Sequence, residues 1–252
     1  MQRSSRQKMI IQALGRQPIS VEALSELTGA SAVTIRRDLT ELQGHGLLRR
    51  VHGGAVAVGL RGTPLPYELR AAENADGKRA IAQLLSGLVS DDMSIILDNG
   101  STMDAVARAL AGRRVTALCM SLRAAVELSS EPGPVVITPG GPVQQPSLRS
   151  GSAASLAALA DFRADLAVMG ACSVNPAQGL TVTTHEDAQV KRAIIGASSR
   201  VVLAATGDKL TRTSTFRFGS IEDLDDLVTT PEAPPELLDE FIAAGVRVHL
   251  AR

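Results

Sequence analysis

The sequence predicts an α/β protein in two unequal parts: a small winged helix-turn-helix unit, then a larger, mostly parallel sheet with helices on both faces. Three observations predict it. Residues 21–39 read as two short helices around a tight Gly29-Ala30 turn, and a hairpin centred on Gly53-Gly54 follows. From Ser94 onward, short apolar runs alternate with Ala/Leu-rich helical stretches, the pattern of parallel strands joined by crossover helices. Charge is also divided along the chain. Residues 1–56 carry eight Arg or Lys against four acids, so in a chain of zero formal charge the remainder is acidic.

That division points to a polyanion partner for the N-terminal end alone. The low aromatic content, 2% with no Trp, leaves Leu, Val, Ile and Ala to build the core. It also argues against single-stranded nucleic acid binding, which depends on stacking. Cys119 and Cys172 lie in apolar runs without metal-type spacing and read as buried reduced thiols. No window approaches the roughly 20 apolar residues of a membrane span, and the polar N-terminus is not of signal-peptide type. A cytoplasmic protein without metal or cofactor is expected.

In order, Ser4 to Leu14 reads as a first helix with Met9, Ile10, Ala13 and Leu14 on one face, ended before Pro18. Ser20 is a good N-cap for a second helix, with Glu22 in its first turn and Ala23, Leu24 and Leu27 on its buried face. Gly29 ends that helix and Ser31 caps the third. Val33 or Ile35, with Leu39 and Leu42, faces inward there, leaving Thr34, Arg36 and Arg37 outside. The runs Leu47–Val51 and Ala55–Val58 around the Gly-Gly turn make a wing, with Arg49, Arg50 and His52 adding positive charge. Gly59 to Pro66, with two Gly and two Pro, reads as a linker. A helix over Tyr67–Val89, interrupted near Gly77, follows it.

Here the chain resembles a known family. Arg6, Ile10 and Leu14 at four-residue steps, Ser31, and Thr34-Ile35-Arg36-Arg37-Asp38-Leu39 resemble the helix-turn-helix signature of the DeoR family of bacterial transcriptional regulators. Val51-His52-Gly53-Gly54-Ala55 is similar to that family's wing. The organisation expected is a DNA-binding domain over 3–58, a linker over 59–66 and an effector-binding domain over 67–252. Ser31, Thr34, Arg36, Arg37, Arg49, Arg50 and His52 are the candidate DNA contacts, and a homodimer or higher even-numbered homo-oligomer is expected to read two half-sites.

In the larger part, apolar runs at Ser94–Leu97, Val115–Met120, Val135–Thr138, Leu166–Met169, Val201–Ala205, Leu227–Thr229 and Val246–Leu250 read as strands. Ligands of such sheets bind beyond the strands' carboxyl ends. Asp98-Asn99-Gly100-Ser101-Thr102, between a strand and a helix, suits an anion, although an ordinary capped turn explains it equally. Gly140 and Gly141 allow close approach of a ligand or simply a tight turn. Glu186 and Lys191, five apart, do not share a face of a regular helix. Lys209 after a strand offers a positive charge to an anion or to solvent.

The resemblance extends to these loops. It implies a Rossmann-like sheet of the sugar-phosphate isomerase and deaminase type. Asp98 to Thr102 is similar to that superfamily's phosphate loop, and Gly179-Leu180-Thr181 through Glu186 to Val190-Lys191-Arg192 resembles the family's next block. Ala205 stands where the family usually has an acid, while Lys209 matches. The effector site expected is therefore Asp98, Asn99, Gly100, Ser101, Thr102, Gly140, Gly141, Glu186, Lys191 and Lys209. Its ligand would be a small phosphorylated metabolite of sugar type.

An isomerase is the alternative, and it needs a carboxylate base beside the carbon whose proton moves. Gly170-Ala171-Cys172-Ser173-Val174-Asn175 takes the place of the acid-rich loop of such enzymes and contains no acid. Asp98 or Glu186 keeps the enzyme reading open. The expectation is a DNA-binding repressor of a sugar or carbohydrate operon, with the larger part as sensor.

Overall fold

The computed structural model describes residues 3–14, 17–44, 47–57 and 66–252. The chain divides into two compact units, residues 1–73 and 74–252.

In the small unit, α1 (Arg3–Ala13) precedes a two-residue strand β1 (Ile19–Ser20), then α2 (Val21–Thr28) and α3 (Ala32–Gly44). Ser20 caps α2 by accepting from the Ala23 N–H at 3.1 Å, and Gly29 ends it in the left-handed region at φ 67°. Strands β2 (Leu48–Val51) and β3 (Gly54–Ala57) form the wing as a hairpin turned at His52-Gly53, Gly53 adopting φ 75°. β1 was missed in the sequence because two residues carry no period. It pairs antiparallel with β3 at Ile19–Ala55 and Ser20–Gly54. The approach is so close that a Cβ on Gly54 would stand 2.1 Å from the Ile19 carbonyl oxygen. Leu24, Ile35, Leu39 and Leu42 fill the core with Ile10. Of the two inward candidates on α3, Ile35 is buried and Val33 is 71% exposed. Leu27 on α2, expected inside, is half exposed.

The helix expected over 67–89 is two. α4 (Tyr67–Ala72) ends at Glu73, and α5 (Ala75–Ser86) begins after Asn74, whose φ of 48° breaks the helix. Gly77 lies inside α5 and serves packing, since a Cβ there would meet the Thr230 methyl at 2.9 Å. α4 was also expected with the larger part. Leu69 is instead buried in the small unit's core, and Lys8 pairs with Glu73 at 3.8 Å. Of the expected linker 59–66 and wing residue Val58, all but Pro66 lie outside the described residues.

The larger unit alternates strand and helix. β4 (Ser94–Leu97), α6 (Ser101–Ala109), β5 (Thr116–Cys119), α7 (Leu122–Leu128) and β6 (Val135–Ile137) come first. A ribbon of β7 (Val143–Gln144) and β8 (Arg149–Ser150) leads to α8 (Ala153–Asp161) and β9 (Leu166–Met169). β10 (Ser173–Asn175), β11 (Gly179–Val182), α9 (His185–Gly196), β12 (Val201–Ala204) and β13 (Phe216–Gly219) follow. β14 (Asp226–Thr229), α10 (Pro235–Ala243) and β15 (Arg247–Leu250) close the chain.

The seven strands read from the apolar runs form one sheet in the order β15-β14-β12-β9-β4-β5-β6, every pair parallel. Successive residues of each strand point to opposite faces, and two cores result. Ile95 and Leu97 pack with Ile81, Met103 and Leu128 on the face covered by α5, α6 and α7. Ile96 and Leu203 pack with Leu159, Ile194 and Phe241 on the face covered by α8, α9 and α10. β10, β11 and β13 form a separate antiparallel sheet. Thus Ser173–Asn175, read in sequence as part of a loop, is a strand. No helix among the described residues is long and apolar enough to cross a membrane.

From β4 the chain runs outward to β5 and β6, then crosses back to lay β9 against the other side of β4. The carboxyl ends of β4 and β9 are therefore the point where strand order reverses, the place where sheets of this kind hold ligands.

Candidate functional site

On the small unit, α3 carries the predicted contacts on its outer side. Ser31 accepts from the Thr34 N–H at 3.3 Å, and the two hydroxyls lie 3.0 Å apart, so Thr34 is held in the first turn. Arg36 and Arg37 are exposed. Arg49 and Arg50 are exposed on β2, and His52 is exposed at the turn. Arg50 donates to the Thr40 hydroxyl at 3.1 Å, and Thr40 donates to the Arg36 carbonyl at 2.9 Å. Wing and helix thereby present their cations together.

The inner side of α3 holds a residue whose role the sequence did not disclose. Asp38 is 1% exposed and takes two hydrogen bonds from Arg6 on α1, at 2.5 and 3.3 Å. Gln7 donates to Asp38 at 3.4 Å and to Glu41 at 2.8 Å. The Arg6 guanidinium is held above its ordinary pKa, its bond to Asp38 outweighing the opposing effect of burial. Arg6 and Asp38 thus fix α1 against α3 rather than facing outward.

In the larger unit, the loop after β4 supplies the core of the second candidate site. Asp98 is fully buried and accepts from the Gly170 N–H at 2.9 Å and from the Asn99 amide at 3.1 Å. Its remaining partner is Lys191, reaching in from α9 and also donating to the Gly170 carbonyl at 2.7 Å. Burial works against the ammonium charge, but Asp98 and Asp187 outweigh it and hold the Lys191 pKa above the ordinary value. The ring of Phe218 lies 5.4 Å from the same nitrogen. One cation therefore ties β4, β9 and α9 together at the switch point.

Gly100 opens α6 at φ 123°, a conformation that favours glycine, and Ser101 and Thr102 form its first turn. A helix N-terminus suits an anion through its backbone N–H groups and dipole. Lys209 sits on a 3-10 turn at Gly207–Lys209 and donates to the Ala171 carbonyl at 3.0 Å, one residue from Gly170. Gly141, at φ 94°, lies where a Cβ would stand 2.7 Å from the Ser152 hydroxyl, so it turns tightly against the start of α8. Gly140 is exposed in open space. Glu186 is exposed on the first turn of α9, turned away from buried Lys191. Its neighbour Asp187 is buried instead, accepting from Asn99 at 3.0 Å and pairing with Arg149 at 3.0 Å. Asp187 and Arg149 were not among the predicted residues. Thr184, three residues before Asp187, is the α9 N-cap and is the one local signal that Asp187 belongs to an ordered turn.

Cys119 is buried, and burial pushes its thiol up to about 12. Cys172, expected to be buried too, is half-buried beside the switch point.

With this geometry in hand, the likeness to known proteins is specific in both units. Residues 6–59 match the DeoR-like helix-turn-helix domain, and residues 73–230 match the DeoR C terminal sensor domain. The chain is 34% identical to the HTH-type transcriptional regulator GlpR of Haloferax volcanii over 91% of its length and 90% of that protein's. It is 34% identical to the transcriptional repressor AccR of Agrobacterium fabrum, over 95% of this chain and 97% of that one. It is 30% identical to the glycerol-3-phosphate regulon repressor of Escherichia coli, over 93% of each chain. Among solved structures, ribose 5-phosphate isomerase A of Methanocaldococcus jannaschii aligns with 55% of this chain and 56% of its own at TM-score 0.42 and 20% identity. The protein belongs to the DeoR family of DNA-binding transcriptional regulators.

Proposed function

We propose that this regulator represses a carbohydrate-related operon and responds to a small phosphorylated metabolite bound at the carboxyl ends of β4 and β9. The observation that carries the reading is the switch-point cluster, where Asp98, Gly170 and Lys191 hold two strands and α9 together beside the start of α6. A phosphate at Gly100-Ser101-Thr102 would accept from the helix N-terminus, with Lys209 supplying charge. Asp98 is already matched by Lys191 and the Gly170 N–H, which suits a positioning carboxylate better than a proton-abstracting base. That the Escherichia coli relative is a glycerol-3-phosphate regulon repressor supports such a ligand class.

At the output end, Thr34, Arg36 and Arg37 enter the major groove, where one bidentate arginine–guanine contact is worth about 1–3 kcal/mol of discrimination. Ser31 orders that turn, and Arg49, Arg50 and His52 contact phosphates or the minor groove. A homodimer or larger even-numbered assembly reads two half-sites. The test of the ligand site is a thermal-shift screen of sugar phosphates on the unaltered protein and on Lys209→Ala. A stabilising compound whose effect is lost in Lys209→Ala is expected. A hit unaffected by the substitution, or no hit, contradicts the assignment.

A further inference from the structure

Arg149 links two separate parts of the larger unit beside the switch point. Its backbone belongs to the β5 side of the sheet. Arg149 forms a bridge with Ser121, Leu122 donates to the Leu148 carbonyl at 2.9 Å, and Ser150 donates to the Met120 carbonyl at 2.9 Å. Its side chain reaches across to α9, where it pairs with Asp187 at 3.0 Å and donates to the Thr184 hydroxyl at 3.3 Å. Nε donates to Gln144 on the same ribbon at 2.6 Å. The oxygen of Asp187 that faces Arg149 also accepts from Asn99, the residue immediately before Gly100. A single carboxylate thus separates the guanidinium from the loop that opens α6. The Arg149 side chain is 16% exposed and that of buried Asp187 9%.

A guanidinium presents a planar fork that matches a phosphate with two parallel bonds, which an ammonium cannot do. Here one arm of the fork, Nη1, meets a carboxylate and the other, Nη2, a hydroxyl, both on the rim of a site proposed to take a doubly charged anion. Building on that proposed site, we infer that Arg149 is a ligand-binding residue that exchanges Asp187 for the phosphate of the incoming metabolite. Asp187 is the competing anion that restrains Arg149 while the site is empty. Its charge also opposes that of the arriving phosphate.

The two residues then have effects of opposite sign on anion binding. Inorganic phosphate is titrated by calorimetry into the full-length protein and into Arg149→Met, Arg149→Lys and Asp187→Asn. Arg149→Met is expected to weaken binding at least tenfold, and Arg149→Lys to fall between the two because it keeps charge without the fork. Asp187→Asn keeps the side chain's size and accepting oxygen, and is expected to tighten binding severalfold. If Arg149 only braces the ribbon, Arg149→Met leaves phosphate affinity unchanged, or Asp187→Asn weakens it alongside Arg149→Met. Either result overturns the inference while leaving the proposed site standing. Failure of the unaltered protein to bind phosphate overturns both.

Discussion

Lys191 on α9 and Asp98 at the end of β4 form a buried ion pair that also captures the Gly170 carbonyl, so one side chain joins the two strands flanking the switch point. The lysine side chain is 3% exposed and the aspartate 0%. Removing one partner leaves an uncompensated charge in the interior, whereas removing both together is far less costly. Lys191→Met is expected to destabilise the larger unit by roughly 3–5 kcal/mol, and Asp98→Asn combined with Lys191→Met by clearly less than the sum of the single changes. Denaturant unfolding of the four proteins measures this coupling. Strictly additive losses would show that the pair does not act as a unit.

Arg6 and Asp38 make the equivalent tie in the small unit, between α1 and the basic helix α3. Arg6→Met strands a buried carboxylate and is expected to cost roughly 2–4 kcal/mol locally. Hydrogen exchange at α1 and α3 amides reads the effect directly. Protection should fall in both helices, with DNA affinity falling too, although neither side chain faces outward. Unchanged protection would remove the positioning role.

Gly54 admits no side chain. A Cβ there meets the backbone oxygen of Ile19 at 2.1 Å, and a main-chain atom cannot swing aside as a flexible side chain can. Gly54→Ala is therefore expected to separate β1 from β3 and shift the wing, weakening operator binding about tenfold or more. DNA titration of the variant checks it. Full affinity would mean that the wing does not engage DNA.

At the amino ends of the strands, Asp226 is fully buried and accepts from Arg200 at 2.7 and 2.9 Å, Arg247 at 3.0 Å and His249 at 2.8 Å. Burial alone would raise its pKa, but these partners hold the carboxyl down at about 2, from an ordinary 3.8. A depressed acid contributes its full stability above the unfolded value and loses it as pH falls from about 4 towards 2. At about 1.4 kcal/mol per unit, on the order of 2 kcal/mol is at stake. Unfolding of the unaltered protein and Asp226→Asn, compared at pH 7 and pH 2.5, should show a gap at pH 7 that narrows in acid. A gap independent of pH would contradict the assignment.

The apolar runs made the large sheet legible. Leu166–Met169 and Ser94–Leu97 are buried along their length or nearly so, and a parallel strand covered on both faces reads as a continuous apolar stretch. Short antiparallel pieces were not legible. β1 and β10 are two and three residues long, too short to show a period; β1 takes its partner β3 from far along the chain, while β10 turns back directly onto β11. The helix break moved from Gly77 to Asn74 for a similar reason: Gly77 answers to contact with Thr230, which no local pattern reveals. Near the switch point, the placement of Asp98, Gly100 and Lys209 just after strands was readable from the apolar runs that precede them. Arg149 and Asp187 were not, because 38 positions separate them and only the fold brings a ribbon from one side of the sheet to a helix on the other. Glu186 is exposed and its neighbour Asp187 buried, since one residue along a helix turns a side chain from solvent to interior.

Fluorescence anisotropy of the DNA lying upstream of the protein's own gene tests α3 as the DNA-reading helix. It is titrated with the unaltered protein and with the double variant Arg36→Ala, Arg37→Ala. The unaltered protein should bind this fragment in preference to unrelated DNA, with affinity falling steeply as salt rises. The double variant should bind about a hundredfold more weakly or worse, while its thermal unfolding stays unchanged because both arginines are exposed. Equal affinity of the two proteins for the fragment would contradict the assignment of α3 as the DNA-reading helix.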